Sequence, residues 1–111
     1  MDLELLRTYK AIAETGSTIG AAARLGLSQS AVSRRLAQLE AELDLPLFLR
    51  DRGRLIPTRE SRNIDAQMLL LLDQGDRLAS RAAELRSGNA ASITLRVAVP
   101  VYGCGFLGEN S

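Results

Sequence analysis

Apolar residues recur at helical spacing from the start of the chain. Leu3, Leu5, Leu6, Tyr9, Ile12 and Ala13 give a first amphipathic helix over residues 3–14. Gly16 ends it, and Ser17 and Thr18 are N-cap candidates for a second helix over about 18–25, which Gly26 closes. Ser28 caps a third helix running to about Leu43. Its inward stripe is Val32, Leu36, Leu39 and Leu43, spaced four, three and four apart. Gln29, Ser30, Ser33, Arg34 and Gln38 fall outside that stripe. Pro46 breaks the helix, and LFLRDRGRLIP over residues 47–57 predicts two short strands around a turn at Asp51–Arg52–Gly53.

From Thr58 to about Arg86 the pattern becomes a heptad seam. Ile64, Met68, Leu71, Gly75, Leu78, Ala82 and Leu85 alternate in steps of four and three, and Leu69, Leu70, Leu72 and Ala79 widen the apolar face. A helix of this length is roughly 42 Å long, too much apolar face to bury against so small a preceding domain. The seam therefore predicts a partner helix, most economically that of a second chain, through Ile64, Met68, Leu71, Leu72, Leu78, Ala82 and Leu85. Folding back on its own domain is the rival arrangement. Ser87, Gly88, Asn89 and Ser92 make a short linker. The alternation Ile93–Thr94–Leu95–Arg96–Val97–Ala98–Val99 then predicts one buried strand, which cannot be stable without partners. Residues 87–111 thus read as a hinge and the opening of a further domain, after a first domain over 1–58 and a linker helix over 59–86.

Residues 17–39 carry the chemistry. Ala22 lets two short helices approach, Gly26 permits the sharp turn between them, and Val32 plugs the second into the first, as in a helix-turn-helix. The second of these helices offers Ser28, Gln29, Ser30, Ser33, Arg34 and Arg35, groups suited to the edges of bases. The hairpin that follows has the place of a wing, with Arg52 and Arg54 at its turn, within reach of a phosphate backbone or minor groove. A solvated hairpin whose arginines only keep it soluble is the plainer alternative. The expected fold is mainly α, a winged helix-turn-helix of three helices plus a β-hairpin wing, followed by a long dimerisation helix.

Charge sharpens this picture without creating it. The 111 residues carry a formal net charge of only +1. Residues 24–62 hold eight arginines against five acids, a local +3, while residues 1–23 and 63–111 are each −1. A basic middle between acidic ends fits a compact surface for nucleic acid. Thirteen of the fourteen basic residues are arginine, a bias that genome composition can also produce. There is no histidine, and Cys104 is the one cysteine, so neither an internal disulfide nor a zinc site can be built. No catalytic constellation can be assembled from these residues, which argues against an enzyme, and no cofactor is expected in this chain. The early acids argue against a secretory signal, and the run Met68–Leu72 is too short to span a bilayer, so no membrane association and a bacterial cytoplasmic location are expected.

LLRTYKAIAETGSTIGAAARLGLSQSAVSRRLAQLEAELDLPLFLRDRGRLIPT, over residues 5–58, resembles the N-terminal part of LysR-type transcriptional regulators, most specifically in SQSAVSRRLAQLEAELDLPLF. The resemblance implies a helix from Ser28 lying in the major groove, with Gln29, Ser30, Ser33 and Arg34 near base edges and neighbouring phosphates. It implies that Ser17 and Thr18 donate to phosphate. It further implies homodimers through antiparallel linker helices, pairing into tetramers over an interrupted palindrome near a promoter. A small-molecule effector would belong to the full-length protein, through a domain of which this sequence has only the first strand. The chain departs from the family pattern at Gly53, where the family usually has arginine, at Ser61, where a T-x-x-G glycine is usual, and at Pro57, where leucine is common.

Two functions from different classes are thus expected to compete. One is a sequence-specific, DNA-binding transcription regulator lacking its effector-sensing part. The other is a dimerisation or adaptor module acting through the linker helix, with DNA binding vestigial. Salt separates them, because phosphate contacts weaken steeply as salt rises and apolar helix pairing does not.

Overall fold

The computed structural model describes residues 1–88, in the order α1 (Leu3–Thr15), α2 (Thr18–Leu25), α3 (Gln29–Leu43), β1 (Phe48–Asp51), β2 (Arg54–Pro57) and α4 (Arg59–Arg86). The strand expected over 93–99 and Cys104 lie outside the described residues. The chain divides into two compact units, Met1–Gly75 and Asp76–Ser111. The first unit takes in the opening half of α4.

Each of the first three helices begins on a side-chain cap that satisfies an otherwise unpaired amide. Asp2 accepts from Glu4 N at 3.0 Å, Ser17 from Gly20 N at 2.8 Å, and Ser28 from Ala31 N at 3.1 Å. Thr58 does the same for α4, where its hydroxyl oxygen accepts from Ser61 N at 3.0 Å and donates to Pro46 O at 2.6 Å. The loop between α3 and β1 is pinned by the Glu40 carboxylate, which accepts from Leu47 N.

The two strands pair antiparallel in the register Asp51↔Arg54 and Leu49↔Ile56, leaving Arg52 and Gly53 as a two-residue turn. Both turn residues have positive φ, 52° and 78°. That geometry matches the twist of the flanking strands, and only the glycine adopts it without steric cost. Arg52 is therefore fixed at the hairpin tip at a cost of about 1 kcal/mol.

The core of Met1–Gly75 gathers Leu5, Leu6, Tyr9 and Ile12 from α1, Ala21 and Ala22 from α2, and Val32 and Leu39 from α3. Leu47, Phe48 and Leu55 join them from the hairpin region, and Met68 and Leu72 from α4. Leu36 and Leu43, expected on the inward stripe of α3, pack against this core and stay partly exposed. Tyr9 is the keystone of the side facing α4. Its ring lies 5.5 Å from that of Phe48, and its hydroxyl donates to Asp65 Oδ1 and lies 3.1 Å from the buried Ser61 Oγ. Burial pushes the Tyr9 phenol up to about 12, reinforced by its hydrogen bond to Asp65. Ser61, the departure from the family's glycine, is thus part of a buried polar junction between α1 and α4.

Candidate nucleic-acid interface

The starts of α2 and α3 are tied together. Gln29, the first residue of α3, donates through Nε2 to Oγ1 of Thr18, the first residue of α2, at 3.0 Å. Thr18 is buried and Gln29 is exposed. Ser28 and Ser30 lie alongside with their hydroxyl oxygens 3.2 Å apart. One helical turn further on, Ser33 and Arg34 are exposed on α3. Ser17, half-buried, spends its hydroxyl oxygen on the Gly20 amide as the cap of α2.

The hairpin reaches the same neighbourhood. Leu55 N donates to Gly16 O at 2.9 Å, so β2 is fastened to the bend between α1 and α2. A side chain at Gly16 would overlap the Arg54 guanidinium, which covers this glycine immediately before the cap of α2. Thr18, Gln29 and Arg54 are therefore gathered around one corner of the domain, while Arg52 stands at the hairpin tip.

The arginines of the basic middle divide into two sets. Arg24 pairs with Glu14, Arg35 lies 3.4 Å from Glu4, and Arg62 donates to Pro57 O at 2.9 Å. Arg34, Arg50, Arg52, Arg54 and Arg59 are exposed and have no acidic partner among the described residues. Guanidinium groups held by a carboxylate have lost part of their attraction for phosphate, and the unpaired ones keep it. Arg35, grouped in the sequence reading with the contacting edge, is turned toward α1 and engaged there. Arg50 was not singled out from sequence, although the arginine-rich hairpin was the signal for it.

The residues assigned to a second chain also divide. Met68 and Leu72 are 5% and 4% exposed because the chain's own core covers them. Gly75 is covered too, and a side chain there would overlap Leu3. The rival arrangement, folding back on its own domain, thus describes the inner face of α4 within the first unit. Ile64 is half-buried against the same core, and Leu71 is 50% exposed. These residues, with Met1, Leu43 and Gln67, line a cleft of about 210 Å³. In the second unit Leu78 and Leu85 are 71% and 44% exposed, with Ala82 half-buried.

Among the described residues no three or more His, Cys, Asp or Glu side chains converge as metal ligands. No described helix is long and apolar enough to cross a membrane.

Comparison with known proteins agrees with this geometry. The pattern of the bacterial regulatory helix-turn-helix protein, lysR family, matches residues 3–62. The HTH-type transcriptional regulator AbaB of Streptomyces antibioticus is 43% identical over 83 residues, covering 75% of this chain and 23% of that protein. The transcriptional activator protein LysR of Escherichia coli is 33% identical over 107 residues, covering 96% of this chain and 34% of that protein. The chain thus spans between 23% and 34% of the length of these relatives. Among solved structures, the crystal structure of the BenM_DBD/catB site 1 DNA complex superposes with a TM-score of 0.70 at 31% identity, covering 79% of this chain and 99% of that one. Residues 1–86 are the winged helix-turn-helix and long helix of this group, and the chain belongs to the LysR family of bacterial regulatory helix-turn-helix proteins.

Proposed function

We propose that this chain is the DNA-reading module of a bacterial transcription regulator, with α3 laid in the major groove of duplex DNA. Gln29, Ser30, Ser33 and Arg34 face base edges in this reading. Ser17, Thr18, Ser28 and Arg54 hold the flanking phosphates, and Arg52 carries the hairpin tip to the backbone or minor groove. Arg35 contributes to the fold through Glu4. The observation that carries the reading is the division of the arginines. Arg34 on α3's polar edge and Arg50, Arg52 and Arg54 on the hairpin lack carboxylate partners, as does Arg59 at the start of α4, whereas Arg24 and Arg35 are paired with acids. Solved relatives of this fold in complex with DNA support it. A binding assay at increasing salt on duplexes selected from a random pool tests it. The affinity is expected to fall steeply and linearly on logarithmic axes, and a flat response would reject it.

The same reading gives the chain a second copy as partner. Of the exposed leucines of α4, those on the heptad seam, Leu71 in the first unit with Leu78 and Leu85 in the second, are the residues that supply the pairing, together with Ile64 and Ala82. Met68 and Leu72 act indirectly, by seating the helix on its own domain. A two-fold pair of α3 helices would then meet two half-sites of an interrupted palindrome near a promoter. Light scattering across a dilution series checks this, with a dimer expected and a monomer at all concentrations contradicting it.

A further inference from the structure

We propose that Thr18 is a positioning residue for Gln29, linking the grip on the DNA backbone to the reading of a base through one hydrogen bond. The inference rests on the assignment of α3 as the DNA reader and adds a device to it. Thr18 Oγ1 accepts from Gln29 Nε2 at 3.0 Å, and the threonine is only 8% exposed, so this oxygen is held in place by the packing around it. The two residues stand eleven positions apart, each at the first position of its helix.

A hydroxyl that has accepted one hydrogen bond still has its own proton to give. At the start of α2 that proton is well placed for a phosphate oxygen, because a helix N-terminus favours an anion. On the other side, Gln29 spends one of its two amide hydrogens on Thr18. Its carbonyl oxygen and second N–H remain, one acceptor and one donor in a common plane. That pair is the complement of the N6 donor and N7 acceptor of adenine. An unheld glutamine has several rotamers to give up on binding, whereas one tethered to a buried oxygen has given up most of them already. Donation by Thr18 to phosphate also polarises its oxygen toward Gln29, so the outer contact strengthens the inner one. Thr18 need not touch a base for its loss to be felt at one.

The test uses the full chain with Thr18→Val, which keeps the shape and removes the hydroxyl, and Thr18→Ser, which keeps the hydroxyl. Each is put through selection from a random duplex pool, beside Gln29→Ala to mark the base position that Gln29 specifies, with thermal unfolding as a check on folding. The parent and Thr18→Ser should enrich the same sequences. Thr18→Val should lose at least about fivefold of its preference at the marked position, with other positions kept. Should valine lower the unfolding temperature, Thr18→Ala removes the same hydroxyl with less bulk and carries the same expectation. Preference at the marked position unchanged in both variants, or weakened equally at all positions, would overturn the positioning role. If the parent enriches no sequence, the fault lies with α3 as the reader, and this inference falls with it.

Discussion

Arg34 and Arg35 stand side by side on α3 and meet opposite surroundings, and Leu71 and Leu72 repeat the contrast on α4. Arg34 is exposed without an acidic partner, whereas Arg35 reaches back to Glu4 on α1. Leu72 is buried in the domain core, whereas Leu71 is half-exposed. A step of about 100° per residue is enough to turn neighbours onto different faces. Each helix therefore has one face that builds the domain and another that is free for a partner, and residue type alone does not say which is which. Arginine is paired with a carboxylate at one position and exposed without one at the next.

The comparison breaks most visibly on the core side. Leu72→Ala should destabilise the first unit by about 2–5 kcal/mol, seen as a lowered midpoint in urea unfolding. An unchanged midpoint would mean that α4 is not seated on the domain. On the outward face of α3, Arg34→Ala should cost roughly 1–3 kcal/mol of binding to a selected duplex and relax discrimination at one or two base pairs, at unchanged unfolding temperature. Arg35→Ala sharpens the contrast by doing less. It removes a partly exposed pair with Glu4, so stability should change by less than about 1 kcal/mol, and base preferences should stay as in the parent. Leu71→Ala should leave stability within about 0.5 kcal/mol, because the side chain is half in water already. Its effect should appear in light scattering, as dimers that dissociate at higher protein concentration than those of the parent.

Much of this was legible in the amino-acid sequence, because the signals are local. The serine caps, Gly16, Gly26, the break at Pro46 and the turn at Arg52–Gly53 each act within a few residues, and the elements they bound lie where the periodicity puts them. What the sequence left hidden is the meeting of side chains far apart in the chain. Arg35 and Glu4 are 31 positions apart, and Tyr9 and Asp65 are 56. The heptad seam of α4 misled in a specific way. A run of leucines looks the same whether a helix serves one partner or two, and only the packing of α4 on the domain core separates Met68 and Leu72 from Leu71. Gly75, a position on the same seam, is covered by Leu3 of the chain's own α1. On the DNA side, the polar positions of α3 were visible, but the bond from Gln29 to Thr18 depends on how closely the two helix starts approach.

The outward face of α3 as the reader of duplex DNA is tested most directly by NMR. The ¹⁵N-labelled chain would be titrated with a duplex enriched from a random pool. The amide signals of residues 28–34 should move most, followed by those of the Arg52–Gly53 tip, while signals around Arg35 and Glu4 hold nearly still. Signals from residues 28–34 that stay in place while the duplex binds elsewhere on the chain would contradict the account.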